Sequence, residues 1–262
     1  MRKPVERASG LQRRHLCRRD RFTAAIVLLI ALAGCAPMND ARMVSIIGGT
    51  LIDGTGKAPV KDSVVVIAGT HVRDTGVRAM VPTTARAHNI DARGKFVVPL
   101  LVDLGRTRLA SAATNEELRN LLDSGTSVFG SLPADIDPAL LARLRGSQVV
   151  FAPGLSRRRG EDFDRTARQT RQLASAGVPI GVASNGDVAL ELELLSDAGL
   201  SPMEVLVAAT RGGALAQRRG REAGTLTAGK FANLLVLAAS PLDNVRNLAR
   251  SERTMVGGRW VD

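Results

Sequence analysis

Between Phe96 and Gly220 the chain offers only four strand–helix units in 125 residues, and this limits its architecture more than any other feature. A complete eightfold β/α barrel takes roughly 250 residues, so this stretch predicts part of one at most. Val97–Leu104 reads as a buried strand because its apolar run is nearly continuous. Thr114-Asn115-Glu116-Glu117 has the pattern of a capping box and opens a helix that Gly125 stops. Thr126–Gly130 is the second strand, Asp137-Pro138 opens a helix stopped at Gly146, and Ser147–Ala152 is the third strand. A helix of mixed charge runs from about Asp164 to Ala176 and ends at Gly177, with Asp164 read as a cap in the manner of Asp137. Val178–Ser184 is the fourth strand, and Ser201-Pro202-Met203-Glu204 is a second capping box with Pro at the first helical position.

Strands lie on both sides of this middle. Met43–Ile47 and Thr50–Ile52 are broken by Gly48-Gly49, and Ser63–Ala68 turns into Val72–Val77 through Gly69-Thr70, a hairpin signal. Ala87–Asp91 and Lys95–Leu101 follow, and Gly229–Ala238 and Arg253–Val261 close the chain. The expected class is therefore α/β. A truncated TIM-barrel-like β/α layer (97–222) is flanked by a composite β-sandwich formed from both chain ends (43–96 and 223–262).

The first 34 residues read as an export signal. Met1–Arg21 carries eight Lys/Arg against Glu6 and Asp20, and the charge-free run Phe22–Ala33 follows at once. Twelve helical residues rise about 18 Å, well short of the roughly 30 Å hydrocarbon core. The exit Leu32-Ala33-Gly34-Cys35 resembles the lipobox of bacterial lipoproteins. That resemblance implies cleavage before Cys35, acylation of its thiol, and a polar tether over 35–42. Ala36 in place of Asp favours delivery to an outer membrane facing the periplasm. Arg18-Arg19 is a weak hint of twin-arginine export, because Arg21 stands where an apolar residue is expected. An ordinary secretory signal or a short anchor remains the alternative.

Removing the segment takes six of the eleven net positive charges with it, so most of the basicity is targeting and no nucleic-acid partner is expected. Cys17 leaves with the signal and Cys35 is the acylated end, so no internal disulfide is available.

Two windows carry a wider resemblance. The opening Ile47-Gly48-Gly49-Thr50-Leu51-Ile52-Asp53-Gly54-Thr55-Gly56 is similar to the start of imidazolonepropionase-like and prolidase-like amidohydrolases. The ending is closer still, with Ala198–Glu204, Ala208-Ala209-Thr210 and Gly224-Thr225-Leu226-Thr227-Ala228-Gly229-Lys230-Phe231-Ala232-Asn233-Leu234-Leu235-Val236-Leu237. The resemblance implies metal-assisted hydrolysis of C–N bonds, with His, Lys and Asp ligands generating hydroxide near neutrality. At the matching positions the ligands are missing. Gly105 and Thr107 stand where the first strand should end in His-x-His, and Asn185 stands for the Asp ending the last strand. The three His are His15, His71 and His88, the five Lys are Lys3, Lys57, Lys61, Lys95 and Lys230, and 96–222 contains no His, Lys or Cys.

Only oxygen ligands are left, and Asp135, Asp137, Asp162 and Asp187 are the weak carboxylate candidates, each beyond the carboxyl end of a strand. Asp137 is better read as a cap before Pro138. Ser184 lacks a base in reach and reads as a strand-end turn. Asp103 is expected to hydrogen-bond backbone within its sheet, and His71 and His88 to be surface or satisfied sheet residues. Arg157-Arg158-Arg159 with Arg165, Arg168 and Arg171 reads as a solvated basic face, with anionic lipid headgroups as the alternative partner. The expectation is thus an anchored amidohydrolase-like protein with no catalytic residue, resident metal or other cofactor, which acts by binding or assembly. Open strand edges favour self-association or a protein partner. The alternative is a residual hydrolase of non-peptide C–N bonds, with a carboxylate-only or partner-completed metal site.

Overall fold

The computed structural model of the chain describes residues 43–83, 87–105 and 107–261. The signal, the tether, Cys35 and His15 lie outside the described residues. The elements run β1 (Met43–Leu51), β2 (Val60–Ala68), β3 (His71–Val77), β4 (His88–Asp91), β5 (Phe96–Pro99), β6 (Ala110–Ser111), α1 (Asn115–Asp123), β7 (Val128–Ser131), α2 (Pro138–Gly146) and β8 (Val150–Phe151). There follow α3 (Gly160–Ser175), α4 (Val188–Asp197), α5 (Pro202–Val207), a π-helical turn (Ala208–Gly212), α6 (Gly213–Ala216), β9 (Leu234–Leu237), β10 (Ser251–Val256) and β11 (Arg259–Val261).

Both ends of the described chain enter one eight-stranded sheet in the order β11-β10-β9-β5-β1-β2-β3, with β4 on β1. The join is made by β5 and β9, antiparallel from Phe96 opposite Leu237 to Pro99 opposite Leu234. Val64–Ile67 is buried throughout because β2 has apolar neighbours on both faces. Val65 and Ile67 pack with Ile46, Val97, Val236 and Met255, while Val64 and Val66 pack with Met43 and Val81. The sheet curls on itself. His71 at the start of β3 bridges to Phe231, the Val72 amide donates to the Lys230 carbonyl at 2.8 Å, and the His71 and Phe231 rings stack at 4.6 Å.

A second, parallel layer has the order β6-β7-β8. Parallel bridges Phe151–Ile180 and Asp103–Val182 extend it by two segments. The chain therefore leaves the layer at Asp103 on one edge and re-enters at Ala110 on the other, with six residues between. The helices cover one face of the layer through a core that includes Leu118, Phe129, Phe151, Leu173, Leu192, Leu195 and Leu206. Leu104, Ala152 and Ala183 form a separate small cluster.

Several expectations are corrected. Val97–Leu104 is not one strand. Phe96–Pro99 belongs to the large sheet; beyond it the Leu100 amide turns to Asn233 and the Val102 amide to Ala209, and only Asp103 joins the parallel layer. Arg253–Val261 is a hairpin, turned by Gly257 and Gly258 at φ 55° and 74°, the left-handed pair that a tight two-residue turn requires. Asp164 does not cap a helix, because α3 starts earlier, at Gly160. Helix α4 had no counterpart in the sequence reading: its Leu190-Glu191-Leu192-Glu193-Leu194 alternates with the period of a strand. Both capping boxes form, at Thr114–Glu117 and Ser201–Glu204, and Gly69-Thr70 turns the β2–β3 hairpin.

Candidate functional site

The carboxyl ends of the parallel strands bring together Asp103, Gly105, Ser156, Arg157, Ser184, Asn185 and Glu191. Asp103 is the hub of the first group. Its Oδ1 accepts from the amides of Gly105 at 2.9 Å and Ser184 at 2.8 Å, and its Oδ2 accepts from the Ser184 hydroxyl at 2.6 Å. A carboxylate with three donors ties the end of the first strand to the end of the last. Ser184 Oγ also accepts from the Gly186 amide at 3.2 Å, so the hydroxyl is engaged on both sides. This is a strand-end lock, and among the described residues Ser184 has no imidazole or amine beside it to make it a nucleophile.

Glu191 organises the second group. It is fully buried on α4 and receives the amides of Leu155 at 2.9 Å and Ser156 at 2.8 Å, one on each carboxylate oxygen. These amides belong to a 3-10 turn, Leu155–Arg157, which follows β8 after Ala152, Pro153 and Gly154. Burial raises the Glu191 pKa above the usual value; hydrogen bonds from Ser156 and Leu155 oppose the rise and the Asp103 charge adds to it.

The turn held by Glu191 presents two arginines. Arg157 donates through Nη2 to the Ser184 carbonyl at 2.5 Å and to the Gly105 carbonyl. Arg158 donates to the carbonyls of Pro153 (2.9 Å) and Gly130, and to Asp162 at 3.0 Å. Two guanidinium groups thus cap strand-end carbonyls, Arg157 on the first and last strands and Arg158 on β7 and β8. The basic cluster is therefore only partly a solvated face. Arg165 pairs with Asp162 at 2.6 Å and Arg171 with Glu204 at 3.4 Å, and the bonds from Arg158 and Arg165 hold the Asp162 pKa below the usual value.

The carboxylate candidates do not converge. Asp137 caps α2 through the Ala139 amide (2.8 Å), Asp187 caps α4 through the Leu190 amide (3.0 Å), and Asp162 is spent on Arg158 and Arg165. Asp135 meets Asn115 only through its backbone carbonyl, at 2.9 Å. Among the described residues no group of three or more His, Cys, Asp or Glu could hold a metal ion.

At the three positions matched to metal ligands, Gly, Thr and Asn supply no imidazole or carboxylate, and their backbone amides are engaged. Gly105 gives its amide to Asp103 and its carbonyl to Arg157, the Thr107 amide closes a turn on Leu104 at 2.8 Å, and the Asn185 amide donates to Ser156 Oγ at 3.1 Å. Arg157 also puts a fixed positive charge between the ends of the first and last strands, where it repels a second cation. These residues do not fit the metal centre that the resemblance implies. Sequence reading missed Glu191 and the capping role of Arg157 and Arg158. The only signal for Glu191 was an acid set in an apolar run.

A cleft of about 510 Å³ opens elsewhere, at the amino end of the Val178–Ala183 segment, with Val178, Pro179, Met203, Val207 and Arg211 among its walls.

Comparison with known proteins agrees on the fold. The amidohydrolase family model matches residues 166–261. A Bifidobacterium longum protein assigned as a prolidase is similar at 17% identity over 84% of this chain and 94% of its own, with a TM-score of 0.62. A molinate hydrolase is similar at 12% identity, 84% and 94% coverage and a TM-score of 0.65. An Xaa-Pro dipeptidase with bound methionine is similar at 12% identity, 84% and 100% coverage and a TM-score of 0.63. No curated protein matches the chain.

Proposed function

We propose that this chain, which resembles the prolidase-like amidohydrolases in fold and in its C-terminal segment, is a non-catalytic member of that group that acts by binding while lipid-anchored through Cys35. The observation that carries the reading is Arg157, whose guanidinium caps the Gly105 and Ser184 carbonyls at the strand ends. Metal hydrolysis needs neutral imidazoles and free carboxylates that lower the pKa of a bound water. This mouth offers a permanent cation and a carboxylate, Asp103, already engaged by three donors. Its hydrogen bonds make it a structural clasp. In this reading a second copy or a protein partner pairs with β6, which ends the parallel layer among the described residues.

The test is hydrolysis of Xaa-Pro dipeptides and small N-acyl amides by the full chain, with and without added zinc or manganese. The expected result is turnover equal to that of an Asp103→Asn chain. Metal-stimulated turnover that Asp103→Asn abolishes would overturn the reading and restore the residual hydrolase.

A further inference from the structure

The cleft beside Val178 sits at the amino end of the Val178–Ala183 segment, whereas the Asp103 clasp holds Ser184 just past its carboxyl end, and none of the clasp residues lines the cleft. Its volume, about 510 Å³, falls in the range of roughly 300–1,000 Å³ typical of small-molecule sites. Its walls are mainly apolar: Val178, Pro179 and Ile180 on one side, Met203 and Val207 of α5 on another. Thr55 and Gly56, from the Gly-rich window after β1, close a third side.

Two charged side chains line it, Glu204 and Arg211. Glu204 is committed, because its carboxylate accepts from the Ser201 amide (2.7 Å), the Ser201 hydroxyl (2.8 Å) and Arg171 (3.4 Å). The polar group of Thr55 is likewise turned to Asp53, at 2.7 Å. Arg211 differs. It is exposed, it stands on the π-helical turn, and among the described residues it makes no hydrogen bond or ion pair. The turn itself is pinned. The Ala209 carbonyl accepts from the Val102 amide at 2.7 Å, and Gly212 lies so close to the Ile180 carbonyl that an added Cβ would fall 1.9 Å from it. An uncommitted guanidinium on a rigid support, at the rim of an apolar cleft whose one acid is paired with Arg171, matches an anion with an apolar tail.

We infer that this cleft binds a small amphipathic carboxylate, its chain among Val178, Pro179, Met203 and Val207 and its carboxylate on Arg211. A guanidinium pairs with a carboxylate through two parallel hydrogen bonds, which an alcohol cannot reproduce. The site does not depend on whether the mouth at Asp103 is inert.

The probe is octanoate, titrated calorimetrically into the full chain in zwitterionic nanodiscs, with empty discs as the blank. Saturable binding of one octanoate per chain above the blank is expected. Arg211→Gln should weaken it by about tenfold, Arg211→Lys should weaken it less, and octanol should bind weakly and equally to wild type and Arg211→Gln. Met203→Trp, which fills the cleft, should abolish binding while the thermal unfolding midpoint stays close to wild type. Binding no greater than to empty discs, equal affinity in Arg211→Gln, or full affinity in a folded Met203→Trp chain would each overturn the assignment.

Discussion

Replacing Glu191 probes the account where it is most specific. Glu191→Ala removes the acceptors of two buried amides, Leu155 and Ser156, at 2.9 and 2.8 Å. Each unsatisfied donor costs about 1–3 kcal/mol, and the lost methylene adds about 0.8 kcal/mol. Relief from burying a carboxylate offsets part of this, so a net loss of about 2–5 kcal/mol is expected. Glu191→Gln keeps one acceptor oxygen and should lose about half as much. The assay is urea unfolding at pH 7, read as a lower midpoint at unchanged slope, with amide exchange at Leu155 and Ser156 followed in parallel. An Ala variant within about 0.5 kcal/mol of wild type, or one more stable than Gln, would mean that Glu191 does not hold the turn.

The same residue gives a pH signature. Burial raises its folded pKa, so its contribution to stability is fully present below the unfolded value, about 4.3, and is lost as pH rises through the folded value. Wild type should therefore gain on Glu191→Gln as pH falls from 7 towards about 4.5. The lowered carboxylates Asp91, Asp162 and Glu204 act in the opposite sense in both chains and cancel in the difference.

Arg157→Ala should cost about 1–3 kcal/mol and speed amide exchange in 104–107 and 183–186, because two strand-end carbonyls lose their charged donor; unchanged exchange would remove the clasp. Gly212→Ala should destabilise by about 3 kcal/mol or more, since its Cβ would lie 1.9 Å from the Ile180 carbonyl, and thermal unfolding reads this directly. Cys35→Ala should move the protein out of the membrane fraction; retention there would mean that the apolar segment anchors the chain by itself.

What was legible in the sequence was what local chemistry decides. Thr114 with Glu117, Ser201 with Glu204 and Gly69-Thr70 each set their own backbone, and each forms as read. What was not legible depends on partners distant in sequence. The continuous run at Val97–Leu104 hides a change of sheet, because Leu100 and Val102 find acceptors at Asn233 and Ala209. The alternating Leu-Glu pattern of α4 disguises a helix that buries an acid, and only the amides of the turn after β8 explain why an acid belongs there. At the mouth, the missing His were plain in the composition, whereas Arg157 spans 52 residues to reach Gly105 and carries no local mark.

Metal stoichiometry decides whether the mouth at Asp103, Arg157 and Ser184 is built as a clasp or as a metal centre. The full chain would be incubated with zinc, manganese or calcium, desalted, and its metal measured per chain. No stoichiometric metal is expected, in wild type or in Asp103→Asn. One tightly held ion per chain, lost on Asp103→Asn, would contradict the clasp.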